Sequence, residues 1–103
     1  MGHDSCGAVK AALDYSEEQG AGSPSLDTLI SDIRTNLGPE LSQDINQRKL
    51  DPKLRQPVKT NVDAVALSLL KRSKIVNDAV QSGHVRIVKA IYGLREGRVD
   101  FWE

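Results

Sequence analysis

His3 and Cys6, separated by Asp4 and Ser5, offer an imidazole and a thiolate within one turn of backbone, and such a pair can grip a single Zn²⁺. Gly7 follows at once and would let the chain bend tightly, after which Ala8 to Leu13 favour a helix. Cys6 then stands where that helix begins, with the positive end of the helix dipole beside its sulfur. Asp4, inside the pair, is placed to cap the helix or to accept a hydrogen bond. His84 is the other histidine; following Gly83 at the entrance to an apolar run, it reads as a turn or surface residue. Cys6 is the single cysteine, so an internal disulfide is excluded, which suits a reducing compartment or a metal site. The chain has no glycine-rich phosphate loop, no Ser–His–acid arrangement and no Cys-x-x-Cys pair.

The elements that must position this pair can be read along the chain. The first helix should run from Cys6 to about Glu18 with Val9, Ala12 and Leu13 inward, ended by Gly20 and Gly22. Ser23 reads as an N-cap with Pro24 in the first helical position. Leu26, Leu29, Ile30, Ile33 and Leu37 make one helical stripe, which Gly38-Pro39 stops. Leu41 and Ile45 suggest a short third helix, and Asp51-Pro52 and Pro57 a polar connection. The next helix is expected from Thr60 or Asn61, with Asp63 completing a capping-box pattern and Val62, Val65, Ala66, Leu69 and Leu70 on its apolar side. Ser73 should break it and cap a continuation through Ile75, Val76, Ala79 and Val80 to Gly83.

Val85 to Leu94 reads as a strand with apolar side chains on both faces, as in a parallel sheet covered by helices. Arg95-Glu96-Gly97 then turns into an antiparallel edge strand over Val99 to Trp102. The fold class is α/β, with helices packed on a parallel-type strand plus that edge strand. Two strands alone leave apolar faces and a hydrogen-bonding edge uncovered, so a second copy or another polypeptide is expected against them. A stable monomer is not expected.

Length and charge narrow the function classes. The 103 residues suffice for one small domain, and 39% hydrophobic with 27% charged residues makes it globular. Lys plus Arg and Asp plus Glu both number 14, so no electrostatic footprint for nucleic acid is present. No apolar run reaches the length of a membrane span and no signal peptide is evident; a cytoplasmic location is the expectation. Lys10, Lys71, Arg72 and Lys74 read as solvated helix residues.

The wording around the pair, His-x-x-Cys-Gly-Ala-Val-Lys-Ala-Ala, resembles the second zinc-binding motif of the beta-class carbonic anhydrases. Residues 61 to 101 resemble that family's closing segment, with Ala90-Ile91-Tyr92-Gly93-Leu94 and Gly97-Arg98-Val99-Asp100-Phe101 matching best, and Ser23-Pro24-Ser25-Leu26 also fits. The likeness spans nearly the whole chain and corresponds to the C-terminal half of the family. It implies one partial domain over 1–103, composed of a zinc-motif loop and helix (1–20), a helical middle (23–58), further helices (60–83) and a terminal strand pair (85–102).

The function so implied is reversible hydration of CO₂ to bicarbonate, with His3 and Cys6 as Zn²⁺ ligands and the Gly7 backbone N–H favouring a bound anion. The family's first motif, Cys-x-Asp-x-Arg, which supplies a third ligand and an Asp–Arg pair, has no counterpart here. The chain by itself is therefore expected to be inactive. A complementing N-terminal half, or a homo-oligomer, is the expected partner. Two alternatives stay open: a non-catalytic zinc-binding or oligomerisation module, and a carbon disulfide or carbonyl sulfide hydrolase on the same scaffold. Lys89 stands where the family usually has Gly, which implies altered packing, and Phe101 and Trp102 read as residues of a subunit contact.

Overall fold

The computed structural model describes residues 1–16, 18–43 and 51–103, and of Ser42 and Gln43 the backbone alone. Its elements in chain order are β1 (Gly2–His3), α1 (Gly7–Asp14), α2 (Pro24–Gln43), α3 (Arg55–Arg72), α4 (Lys74–Gln81), β2 (Lys89–Gly93) and β3 (Arg98–Trp102). β1 pairs parallel to β2, with Gly2 opposite Ile91 and His3 opposite Tyr92. β2 pairs antiparallel to β3, from Lys89 opposite Trp102 to Gly93 opposite Arg98. The sheet is α/β as expected, but with three strands in the order β1-β2-β3.

Each helix end has a local cause. α1 stops at Asp14 rather than near Glu18 because Tyr15 turns to an extended conformation (ψ 134°). Arg34 of α2 supports that stop: its guanidinium donates to the Ala12 carbonyl at 2.9 Å and lies 5.6 Å from the Tyr15 ring centre. At the start of α2, Ser23 Oγ accepts from the Leu26 N–H, as expected of an N-cap. Gly38 breaks α2 with φ 78° and ψ 165°, a conformation that favours glycine, and the helix resumes at Pro39. Leu41 lies in that continuation, whereas Ile45 falls outside the described residues.

The start of α3 corrects the expectation of Thr60 or Asn61. The helix begins at Arg55, after Leu54 in the left-handed region (φ 56°), and Asp51 accepts from the Gln56 N–H through Oδ2. Pro57 sits in the first turn, where its missing N–H costs nothing. Thr60 is interior, its hydroxyl donating to the Gln56 carbonyl, so it starts no capping box. Ser73 divides α3 from α4 as expected. Its N–H donates to the Leu69 carbonyl, its Oγ accepts from the Val76 N–H and its carbonyl accepts from Asn77.

The strand expected over Val85 to Leu94 is shorter. Lys89 to Gly93 pair with β3, Ile91 and Tyr92 also pair with β1, and residues 85–88 are not in the ladder. Val85 and Val88 are 49% and 44% exposed, so the apolar run is not covered on both faces within this chain.

The core lies where α1, α2, the N-terminal turns of α3 and β2 meet: Val9, Ala12, Leu13, Ile30, Ile33, Leu37, Leu54, Val58 and Ile91 form one buried cluster. The inner part of the α2 stripe is in it, while Leu26 and Leu29 remain about half exposed. β1 lies directly on α3. A Cβ added at Gly2 would stand 2.5 Å from Val58 Cγ1 and 3.0 Å from Val62 Cγ2, so only glycine fits that crossing. The radius of gyration, 15.1 Å, exceeds the roughly 13 Å of a compact domain of this length, and the difference goes with much apolar surface on α3, α4 and residues 85–88.

Candidate metal centre

β1 delivers His3 from the sheet edge, and Cys6 follows as the N-cap residue of α1, in extended conformation (φ −62°, ψ 119°) with no side chain capping the helix. The bend between them is made at Ser5, which takes a left-handed φ of 53°, and not at Gly7. Gly7 is the first residue of α1, its φ is not positive, and a Cβ there would meet nothing within 4 Å. The Ser5 conformation is fastened from the other side, where its N–H donates to the Lys53 carbonyl at 2.6 Å.

His3 and Cys6 line one cleft of about 280 Å³, together with Val9, Val58, Val62 and Val65 among others. Cys6 is half-buried against the core and carries a free thiol, while the His3 side chain is exposed. His3 Nδ1 lies 2.8 Å from the Asp4 carbonyl oxygen. A carbonyl can only accept, so Nδ1 carries the proton in that bond, and Nε2 of the neutral ring keeps its lone pair. Among the described residues, no group of three or more His, Cys, Asp or Glu side chains is placed to hold a metal ion.

Asp4 has another role than capping α1. It is 2% exposed, and its Oδ1 accepts from the Leu94 N–H at 3.0 Å. Its own N–H donates to the Tyr92 carbonyl at 2.9 Å, prolonging the β1–β2 pairing by one step. Arg55 Nη1 stands 3.9 Å from Asp4 Oδ2, and Nη2 donates to Asp100 Oδ2 at 2.8 Å. Burial pushes the Asp100 carboxyl upward, but the Arg98 and Arg55 guanidinium groups outweigh it and hold its pKa below the ordinary value. Lys53 likewise lowers Glu96 through a 2.9 Å hydrogen bond.

Lys89 reaches the same cleft, but its ammonium is engaged. Nζ lies 2.8 Å from Asp63 Oδ1, which also accepts from Trp102 Nε1 at 2.8 Å. The Lys89 hydrogen bond, helped by Trp102 and opposed by burial, holds the Asp63 carboxyl below its usual range. Lys59 sits 4.8 Å above the Trp102 ring, so Trp102 is held within its own chain, whereas Phe101 is 72% exposed.

The remaining candidates stand apart. His84 is exposed and bonds Ser82 Oγ. Lys10 pairs with Asp14 and Lys74 with Asp78 along exposed helix faces, and Lys71 and Arg72 are exposed. No helix among the described residues is long and apolar enough to cross a membrane. Sequence reasoning missed Arg55 and the pairing of Asp63 with Lys89 and Trp102, and offered Asp4 as a hydrogen-bond acceptor without its partners; each acts through groups distant in sequence, so no local spacing announces them.

Comparison with curated proteins and with solved structures finds no match. A family model described as carbonic anhydrase matches residues 1–99. That span takes in β1, the His3–Cys6 turn, every helix, β2 and the start of β3. By this match, the chain belongs to the beta-class carbonic anhydrase family.

Proposed function

We propose that the chain contributes His3 and Cys6 to the Zn²⁺ site of an enzyme that interconverts CO₂ and bicarbonate. The observation that carries the reading is the His3 hydrogen bond: with Nδ1–H given to the Asp4 carbonyl, Nε2 keeps its lone pair for a metal, the arrangement usual in metal-bound histidines. Family membership supplies the reaction class. When bound, zinc supplies Lewis acidity that brings the pKa of water from about 15.7 towards about 7. The valine-rich wall of the cleft suits a small apolar gas, and the Gly7 N–H at the start of α1 is a favourable position for the anionic product.

Two ligands are one fewer than a catalytic zinc ordinarily takes from protein, so the third ligand and the water-orienting groups come from outside these 103 residues in this reading. Two His3–Cys6 pairs brought together by a second copy would instead give a closed, tetrahedral Cys₂His₂ site, structural and not catalytic. The ligand count per chain favours keeping this second reading. Carbon disulfide or carbonyl sulfide would be alternative substrates of the same scaffold.

Zinc content of the purified chain, and of its His3→Ala and Cys6→Ser variants, is the test. Bound zinc in the parent that falls in both variants is expected, and equal zinc in all three would overturn the reading. Stoichiometry separates the alternatives, since one zinc per two chains indicates the shared site. A stopped-flow CO₂ hydration assay should show no turnover by the chain alone.

A further inference from the structure

We infer that Asp4 is the positioning residue of the His3–Cys6 motif: its buried carboxylate fixes the peptide whose carbonyl selects the His3 tautomer. The inference about metal affinity rests on the zinc reading above; the inference about the tautomer does not.

Asp4 is the buried polar residue among the described core residues, and a carboxylate is not placed there without partners. Its anchors come from two segments far along the chain, the start of α3 and the end of β2. Oδ1 takes the Leu94 N–H just beyond β2, and Oδ2 faces Arg55 from the first turn of α3. The Asp4 N–H is held by Tyr92 and the following N–H, that of Ser5, by Lys53. Thus both N–H groups flanking the Asp4 carbonyl are tied down, and so is its side chain. The carbonyl left over is the one that meets His3 Nδ1 at 2.8 Å.

This arrangement matters because the segment is intrinsically unsettled. His3 is exposed, so packing alone does little to fix its ring in one orientation. Ser5 holds a left-handed φ that a serine adopts only when its surroundings impose it. Without the Asp4 carboxylate, the Leu94 amide loses its acceptor and Arg55 keeps only Asp100, so the Asp4 peptide is held by its backbone bonds to Tyr92 and Lys53 alone, and the carbonyl that keeps the His3 proton on Nδ1 is less firmly fixed. Groups that orient a metal-binding histidine from behind typically carry 10–100-fold in metal affinity.

The test uses the full chain, ¹⁵N-labelled and metal-free, with the Asp4→Asn and Asp4→Ala variants. Imidazole ¹⁵N shifts report the tautomer, and Co²⁺ titration followed by the thiolate-to-cobalt absorption band reports affinity. The parent and Asp4→Asn, whose amide oxygen can still accept from Leu94, should show His3 protonated on Nδ1. Asp4→Ala should show a mixture of tautomers and about 10–100-fold weaker Co²⁺ binding. If Asp4→Ala does not fold, Asp4→Glu, with its carboxylate displaced by one methylene, carries the same expectation. An unchanged tautomer in a folded Asp4→Ala or Asp4→Glu variant, or Nε2 protonation in the parent, overturns the inference. Should the parent hold the expected tautomer yet bind no Co²⁺, the zinc reading fails while the positioning role is decided by the ¹⁵N shifts.

Discussion

Replacing Gly2 by alanine tests whether β1 really lies against α3. The added methyl would stand 2.5 Å from Val58 Cγ1 and 3.0 Å from Val62 Cγ2, whereas carbon pairs are at ease near about 3.5–4.0 Å. Strand and helix must therefore separate by about 1 Å. Val58 cannot simply turn aside, because a valine in a helix has essentially one comfortable rotamer and this one is 3% exposed. Overpacking of this kind costs about 1–3 kcal/mol. Val58→Ala alone removes two methyl groups, a loss of about 1.5–2 kcal/mol at roughly 0.8 kcal/mol each, plus a cavity term. In the double variant the new methyl enters the space the valine vacates, so its destabilisation should fall short of the sum by about 1–2 kcal/mol. Urea unfolding followed through Trp102, the single tryptophan, reads these differences as midpoint shifts of about 1 M, given m-values of about 1–3 kcal/mol per M. A Gly2→Ala midpoint equal to the parent's, or strict additivity in the double variant, would refute the packing argument and with it the placement of His3.

Two further outcomes are expected. Asp63 has a folded-state pKa below its ordinary 3.8, first because of the Lys89 hydrogen bond, so its contribution to stability is complete at neutral pH and is lost as pH falls below that value. The carboxylate is half exposed, which limits the effect to about 1 kcal/mol or less; the gap between parent and Asp63→Asn should close in acid, and a gap that persists unchanged would contradict the pairing. Sedimentation at micromolar concentration should show dimers or larger species, because Leu67, Leu69, Ile75, Val85 and Val88 are each left 44% or more exposed on α3, α4 and the segment before β2, and a cooperative, well-folded monomer would count against it.

What the sequence made legible was local. Ser23-Pro24, Gly38 and Ser73 each announce a helix boundary through the chemistry of one or two residues, and the structure places boundaries there. Gly97, with φ 68°, turns β2 into β3 as its position between two apolar runs implies. The start of α3 was not legible because its N-cap is Leu54, a residue with no side-chain acceptor, and its true cap, Asp51, sits several residues earlier. The shortened β2 follows from pairing: an apolar run forms strand only where a neighbour offers hydrogen bonds, and β1 offers two residues and β3 five. Around His3 and Cys6, the spacing was visible but the support was not. The Asp4–Leu94 bond spans 90 residues of chain, and no window on the sequence contains both ends.

Ser73 closes one helix and opens the next with no residue to spare, serving the carbonyl of Leu69 behind it and the amides of Val76 and Asn77 ahead. The junction is thus an elbow whose sensitive variable is length. Changing residue types on the outer side of α4, where Ile75 is 84% exposed, leaves these bonds intact. Inserting or deleting one residue would turn α4 by about 100° about its axis and displace the Ala79 carbonyl that receives the amides of His84 and Val85. From there the misalignment would pass to Lys89 and the register of the sheet that presents His3. The length of a helical joint 70 residues downstream of His3 thus bears on the approach to β2, the strand against which His3 is paired.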